Sequence, residues 1–386
     1  MDFESVRKDF PTMRTDKGVY LDSSCQSLRP DSVIEAVTEY YEKYPVCGGR
    51  SVHHLANEVS IRVDETREAL ASFFNAGSPN SFVFTKNSTE ALNTVLKGYL
   101  KPGMRVVTSS MEHNAVTRPL HALGAELSVA GRRLFDPEET LRAFSRLLPG
   151  ADAAVCTQVS NVFGYVLPIR EIAELCKQNK VPLIVDASQA AGLLDVDLDG
   201  WGAAFVAMPG HKGLFGPQGT GLLLCGERGE PLLYGGSGSE SRRQTMPEEL
   251  PERLEAGTMN VCGIAGLLAG LRYVREKGTD AIFAHERRLL ALACEELSGS
   301  GIELFTGAEQ AGVLSLRIPG IESESVAQTL GEHGICVRAG LHCAPLAHES
   351  AGTLETGTVR LSFSPFVTEG QLRQSCGLLR RLAKRG

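Results

Sequence analysis

The chain has 386 residues, with 39 Lys+Arg against 46 Asp+Glu for a formal net charge of −7, and is 42% hydrophobic, 22% charged and 6% aromatic. This is globular composition with length enough for a large core, which excludes disorder as the dominant state. The acidic balance argues against a nucleic-acid partner, because neutralising phosphates takes a Lys/Arg excess. The longest near-continuous apolar run, Val261 to Leu271, falls well short of the roughly 18 residues needed to span a bilayer, so no membrane role is expected. The opening MDFESVRKDFPT is charged and lacks the apolar stretch of a secretory signal, which makes a cytoplasmic location the expectation. Ten cysteines without a CxxC pair give no support to a zinc ribbon or a thioredoxin-like motif. Nine of the ten read as small buried hydrophobes.

In chain order, Val33–Tyr44 and Val59–Phe74 carry helical patterns ahead of the first strand. Short apolar runs bounded by turn residues follow: Ser81–Thr85, Arg105–Ser109, Ala153–Val159, Leu183–Ala187, Ala203–Met208 and Gly221–Cys225. Runs of this kind are strands buried on both faces, the mark of a mainly parallel sheet. Helical patterns at Ser88–Leu100 and Leu167–Gln178 lie between them, so the alternation predicts a doubly wound α/β domain. The Gly/Ser/charge-rich stretch 235–252 reads as a mobile loop. Beyond it the spacing predicts helices over Ile264–Lys277 and Thr279–Leu297, strands at Val313–Ile318, Ile335–Arg338 and Val359–Phe363, and a last helix Glu369–Lys384. The expected division is a large domain over 15–262 and a smaller α+β domain formed by 1–14 with 263–386.

Four segments carry chemistry. In LIVDASQ an apolar strand ends in Asp186, with Gln189 three residues on, and ligand groups gather at the carboxyl ends of strands in open α/β sheets. In MPGHKGLFG, Lys212 follows another apolar run among glycines, beside His211; a lysine there can form a Schiff base once desolvation or nearby cations lower its pKa. In FVFTKNSTEALN a strand turns through Ser88 and Thr89 into a helix, where free N–H groups, hydroxyls and the dipole make an anion site. In SSMEHNAV, His113 follows a strand and can lie flat on a planar ring. Taken singly, each has a plainer reading: a turn-capping Asp, a surface Lys, an ordinary Ser/Thr cap, a solvated loop His.

Together, in the order phosphate turn, His, Asp, Lys, they resemble the class V aminotransferase family of fold-type I pyridoxal-phosphate enzymes, over nearly the whole chain from YLDSS onward. The resemblance implies a large domain with a mainly parallel seven-stranded sheet plus a smaller α+β C-terminal domain. It implies pyridoxal 5′-phosphate carried by Lys212, with Asp186 on the ring nitrogen, Gln189 on the phenolate oxygen and His113 stacked on the ring. Ser88, Thr89 and His211 would serve the phosphate. Asn161, in VSNVFG, would lie near cofactor and substrate. Thr258, in EAGTMN, would reach the phosphate of a neighbouring subunit, so a homodimer is expected.

The segment VRAGLHCAPLAH, residues 337–348, resembles the RxGxHCA signature of group II cysteine desulfurases and the related selenocysteine lyases. It implies an amino-acid substrate and makes Cys343 the sulfur-accepting nucleophile, with His342 and Arg338 placed to lower its pKa or, for His342, to move protons. Arg360, in GTVRLSF, would hold the substrate carboxylate. Arg50 and His53, in GGRSVHHLA, match a family pattern in part and would face the site. Pro209 stands where the family often has a phosphate-binding Ser, and Leu341 where a His is more usual.

The expected activity is conversion of L-cysteine to L-alanine with a persulfide on Cys343, passed to an acceptor protein for iron–sulfur clusters or thiolated molecules. The alternatives are a selenocysteine lyase or other C–S lyase, a class V transaminase, and a catalytically silent homologue acting as a scaffold. The acidic run Asp195, Asp197, Asp199, Gly200 begins like an EF-hand loop, but its twelfth position is Val206, so no metal site is expected.

Overall fold

The structure, a computed structural model, describes residues 3–15, 18–48 and 51–384. Seven strands form the large sheet: β1 Phe82–Thr85, β2 Arg105–Ser109, β3 Glu126–Ala130, β4 Ala153–Thr157, β5 Leu183–Asp186, β6 Phe205–Pro209 and β7 Gly221–Cys225. Their order is β1-β7-β6-β5-β4-β2-β3, and β7 alone runs against the others. The fully apolar runs predict the centre correctly: every residue of β4, β5, β6 and β7 is buried. Helices cover both faces, so both faces of these strands need apolar side chains. Val185, Val206 and Leu224 point into one core with Phe74 and Phe144, while Ile184, Phe205 and Leu223 point into a second core with Leu92 and Val116.

Sequence patterning misses β3, whose residues are mostly exposed or half-buried at the sheet edge, so ELSVA carries no apolar run. It also misses the helix Asn114–Leu123, disguised by Pro119 in its interior, and the helix Pro137–Leu147, whose buried face is only Thr140, Ala143 and Phe144. The predicted Gly/Ser-rich stretch 235–252 contains no helix or strand.

Four further strands, β8 Glu303–Phe305, β9 Val313–Arg317, β10 Arg338–Gly340 and β11 Thr358–Ser362, make an antiparallel sheet in the order β10-β11-β9-β8. The helices Thr279–Leu297 and Glu369–Ala383 pack with it around Leu289, Leu316, Leu361 and Leu379, and Val6, Phe10, Met13 and Leu21 from the start of the chain join the same core. The helix Val261–Lys277 serves both bodies: Leu267 and Leu271 lie in the core of the large sheet, Tyr273 and Val274 in that of the smaller one. No helix among the described residues is long and apolar enough to cross a membrane.

Candidate active site

Five strands of the large sheet release their chains at the carboxyl edge around one cavity of about 230 Å³. Asp186 ends β5 and is buried; its Oδ1 accepts from Ser188 N at 2.9 Å. Lys212 follows β6 in a loop that only glycines can form. A Cβ on Gly210 would stand 2.2 Å from Thr220 Oγ1, and one on Gly213 would stand 2.4 Å from the Ala191 carbonyl. The pinned loop holds the Lys212 amine inside. Burial pushes its pKa down to about 8, with Asp186 opposing the fall and Arg360 adding to it. His211 is pushed down to about 4 by burial, and its Nδ1 is buried without a partner.

On the opposite wall, Asn87 caps the helix Ser88–Tyr99 by accepting from Glu90 N at 2.9 Å. Ser88 and Thr89 line the cavity at the positive end of that helix. Ser188 Oγ donates to Ser88 Oγ at 2.7 Å. Ser188 thus adds a hydroxyl beside Ser88 where Pro209 has none to offer. His113 caps the next helix by accepting from Ala115 N at Nδ1, 3.0 Å, which leaves the proton of the neutral ring on Nε2. Burial lowers its pKa. Gln189 lines the cavity and gives one amide hydrogen to the Ser24 carbonyl at 2.9 Å.

The smaller sheet closes the far side. Arg360, on β11 and 3% exposed, donates through Nη1 to the Asn161 carbonyl at 2.9 Å and through Nη2 to Asp22 at 2.8 Å; its Nε is buried without a partner. Asn161 donates to the His342 carbonyl at 2.7 Å, and Asn114 N donates to the Cys343 carbonyl at 2.7 Å. These bonds hold two consecutive non-glycine residues in the left-handed region, His342 at φ 48° and Cys343 at φ 58°. Such strain gathers at functional loops. Cys343 is exposed at the cavity mouth.

His342 departs from expectation. Its ring faces Thr358, with Nε2 3.2 Å from both the carbonyl and the hydroxyl oxygen, and burial drives its pKa down to about 2. The ring is neutral at working pH and lends Cys343 no positive charge. His53 is exposed, caps the helix His54–Phe73 and does not line the cavity of its own chain. Arg50 lies outside the described residues. Thr258 lines a separate cavity with Lys86 and Asn260. Asp197 spends its carboxylate on Gly200 N at 2.8 Å, and no cluster among the described residues suits a metal ion.

Sequence reasoning missed Ser188 and Asp22, and it missed Glu112. Glu112 is fully buried and accepts from Ser109 Oγ and, at 2.8 Å, from Thr157 N. Burial, helped by nearby Asp186, pushes its carboxyl up to about 8, so it is protonated at neutral pH. The available signal was a carboxylate beside His113 in an otherwise uncharged turn. The nine-buried reading of the cysteines also fails: Cys47 and Cys336 are exposed, and Cys25, Cys262 and Cys294 are half-buried.

The strained loop gives a direct test. Glycine adopts positive φ freely, whereas another residue there costs about 1 kcal/mol. Cys343→Gly is therefore expected to unfold at a higher temperature than Cys343→Ala in matched thermal scans, although both lack the thiol.

The Aminotransferase class-V family model matches residues 19–374. A "Probable cysteine desulfurase" of Pyrococcus abyssi is 34% identical over 396 residues, covering 99% of this chain and 98% of the relative. One of the same name from Methanothermobacter thermautotrophicus is 34% identical over 404 residues, covering 99% and 98%. Among solved structures, the apo cysteine desulfurase of Thermococcus onnurineus NA1 superposes with a TM-score of 0.91 at 33% identity, covering 99% of this chain and 98% of that one. The cysteine desulfurase CsdA of Escherichia coli gives 0.87 at 27% identity, covering 100% and 99%. This protein is thus a member of the class V aminotransferase family.

Proposed function

We propose that this protein is a pyridoxal-phosphate-dependent cysteine desulfurase, converting L-cysteine to L-alanine and leaving the sulfur as a persulfide on Cys343. The observation that carries the reading is one cavity that brings Asp186 and Lys212 together with Arg360 and Cys343. The groups present fit the cofactor. Asp186 suits a ring nitrogen, the desolvated Lys212 amine suits an aldehyde, and the helix start at Ser88 with the unpartnered Nδ1 of His211 suits a phosphate. Bound there, the cofactor supplies an electron sink for charge at the substrate α-carbon.

The chain supplies the rest. Arg360 offers its unpartnered Nε to the α-carboxylate and fixes the substrate's orientation. Lys212, with a pKa near working pH, takes the α-proton at Nζ and returns a proton to the product. His113 presents an Nε2–H on the cavity wall. The Cys343 thiolate attacks the substrate sulfur. The carbon–sulfur bond breaks, a sulfur–sulfur bond forms, and the electron pair and a proton end on the product's β-carbon, so no external oxidant or reductant is needed. An exposed loop at the cavity mouth is where a sulfur-acceptor protein could reach that persulfide, for iron–sulfur clusters or thiolated molecules. A homodimer would place Thr258 near the partner's phosphate; the exposed apolar Tyr41, Val52, Ile61 and Tyr234 are surface such an interface would cover.

Two outcomes follow. The free Lys212 amine is the form that captures an aldehyde, so cofactor uptake by the apo-protein is expected to rise with pH through about 8. Because Asp186 raises that pKa, Asp186→Asn shifts the rise to lower pH; both are read from the visible absorbance on titration with pyridoxal phosphate. Cys343→Ala is expected to keep the cofactor band and its response to L-cysteine, but to lose about 100-fold or more of alanine and sulfide formation, the scale of removing an essential nucleophile. Full turnover in Cys343→Ala would overturn the persulfide step.

A further inference from the structure

Two cysteines line the cavity among the described residues, and the reaction above uses one. The other, Cys25, is half-buried on the opposite side of the chain's order, in the turn that follows Asp22. This turn is fixed from several elements. Cys25 N donates to the Asp22 carbonyl at 3.0 Å, Ser24 N to Ser362 Oγ at 2.9 Å, and Ser27 N to the His211 carbonyl at 3.1 Å. Arg338 Nη1 donates to Cys25 Sγ at 3.1 Å, and the same guanidinium lies 3.7 Å from Asp22. Lys212 and Arg360 are both within electrostatic range of this sulfur. Beside it, Arg360, 3% exposed, keeps its unpartnered Nε for a ligand. Cys25 therefore stands in the reaction space with a charged donor on its sulfur, while the remaining eight cysteines stand elsewhere.

We propose that Cys25 is a second sulfur carrier of this site, taking the outer sulfur from the Cys343 persulfide when no acceptor is docked; this rests on the desulfurase reading. The Cys25 thiolate attacks the outer sulfur of Cys343–S–SH. The sulfur–sulfur bond to Cys343 breaks and one to Cys25 forms, the proton stays on the transferred sulfur, and Cys343 leaves as thiolate. The exchange is redox-neutral and needs no co-reactant. A persulfide extends the Cys343 side chain by about 2 Å, one sulfur–sulfur bond, within the cavity that both cysteines line. The consequence is a sheltered sulfur on Cys25 and an exposed Cys343 free for another turnover.

The test is the burst of the holoenzyme mixed with a small excess of L-cysteine, without reductant or acceptor, quenched early and alkylated. Wild type is expected to release about twice as much alanine per site in the burst as Cys25→Ala or Cys25→Ser, since a burst counts the covalent acceptors. Peptide mass spectrometry should find an added sulfur on Cys25 in wild type and none on Cys25 in Cys343→Ala. Equal bursts with sulfur on Cys343 alone would overturn the proposal and leave the desulfurase reading standing. Sulfur on Cys25 in Cys343→Ala would overturn the relay order. No alanine from wild type would overturn the desulfurase reading itself. The wild-type mass measurement needs no variant, so misfolding of a substituted chain does not block the result.

Discussion

Hiding a primary amine from water while keeping it reactive is the constraint on which the rest of the site depends. Desolvation disfavours the ammonium form of Lys212, and Asp186, one strand away, limits how far that goes. Asp186 ends β5 and Lys212 lies three residues beyond the neighbouring parallel strand β6, so sheet geometry brings their segments to one edge and the loop after β6 sets where the amine stands. Gly210 and Gly213 let the backbone close on Thr220 and Ala191, which keeps the amine from swinging out. Behind Asp186, a protonated Glu112 fills the interior with polar contacts but adds no second negative charge.

A second set of constraints ties the two bodies of the protein together across the cavity. Asp22 pairs with Arg360 from the smaller sheet, and Ser24 accepts from Gln189 of the large one. The segment around them begins in the core of the smaller body, at Val19 and Leu21, and ends against the His211 carbonyl. Asn161 bridges in the other direction, from the end of β4 to the loop carrying Cys343. The loop carrying Cys343 and the buried Arg360 are therefore tied together through Asn161, and strain at residues 342 and 343 is carried by bonds to Asn161, Asn114 and Thr358.

Much of this was legible in the sequence, for physical reasons. Strands buried on both faces must be apolar throughout, so β4 to β7 announced themselves, and the residues at their carboxyl ends were singled out with them. Edge strand β3 had no such requirement and left no pattern. Ser188 escaped notice because a Ser between Asp186 and Gln189 looks like turn composition, and Cys25 because a cysteine in a long chain is most often a small buried hydrophobe. His342 neighbours Cys343 in sequence, but its ring packs on Thr358 across the loop, so proximity in sequence did not report side-chain direction. Asp22, 338 residues before Arg360, met its partner only through the fold.

The central claim is that the four groups in this cavity act on cysteine and not on amino groups in general. The most direct measurement is to reconstitute the protein with pyridoxal phosphate, add L-cysteine with a reductant, and quantify alanine, sulfide and the cofactor's spectrum together. Equal amounts of alanine and sulfide, formed over many turnovers with the cofactor band returning to its starting form, are the predicted result. Conversion of the cofactor to its pyridoxamine form, discharged by a keto acid and yielding no sulfide, would contradict the account and make this protein a transaminase in which Cys343 is incidental.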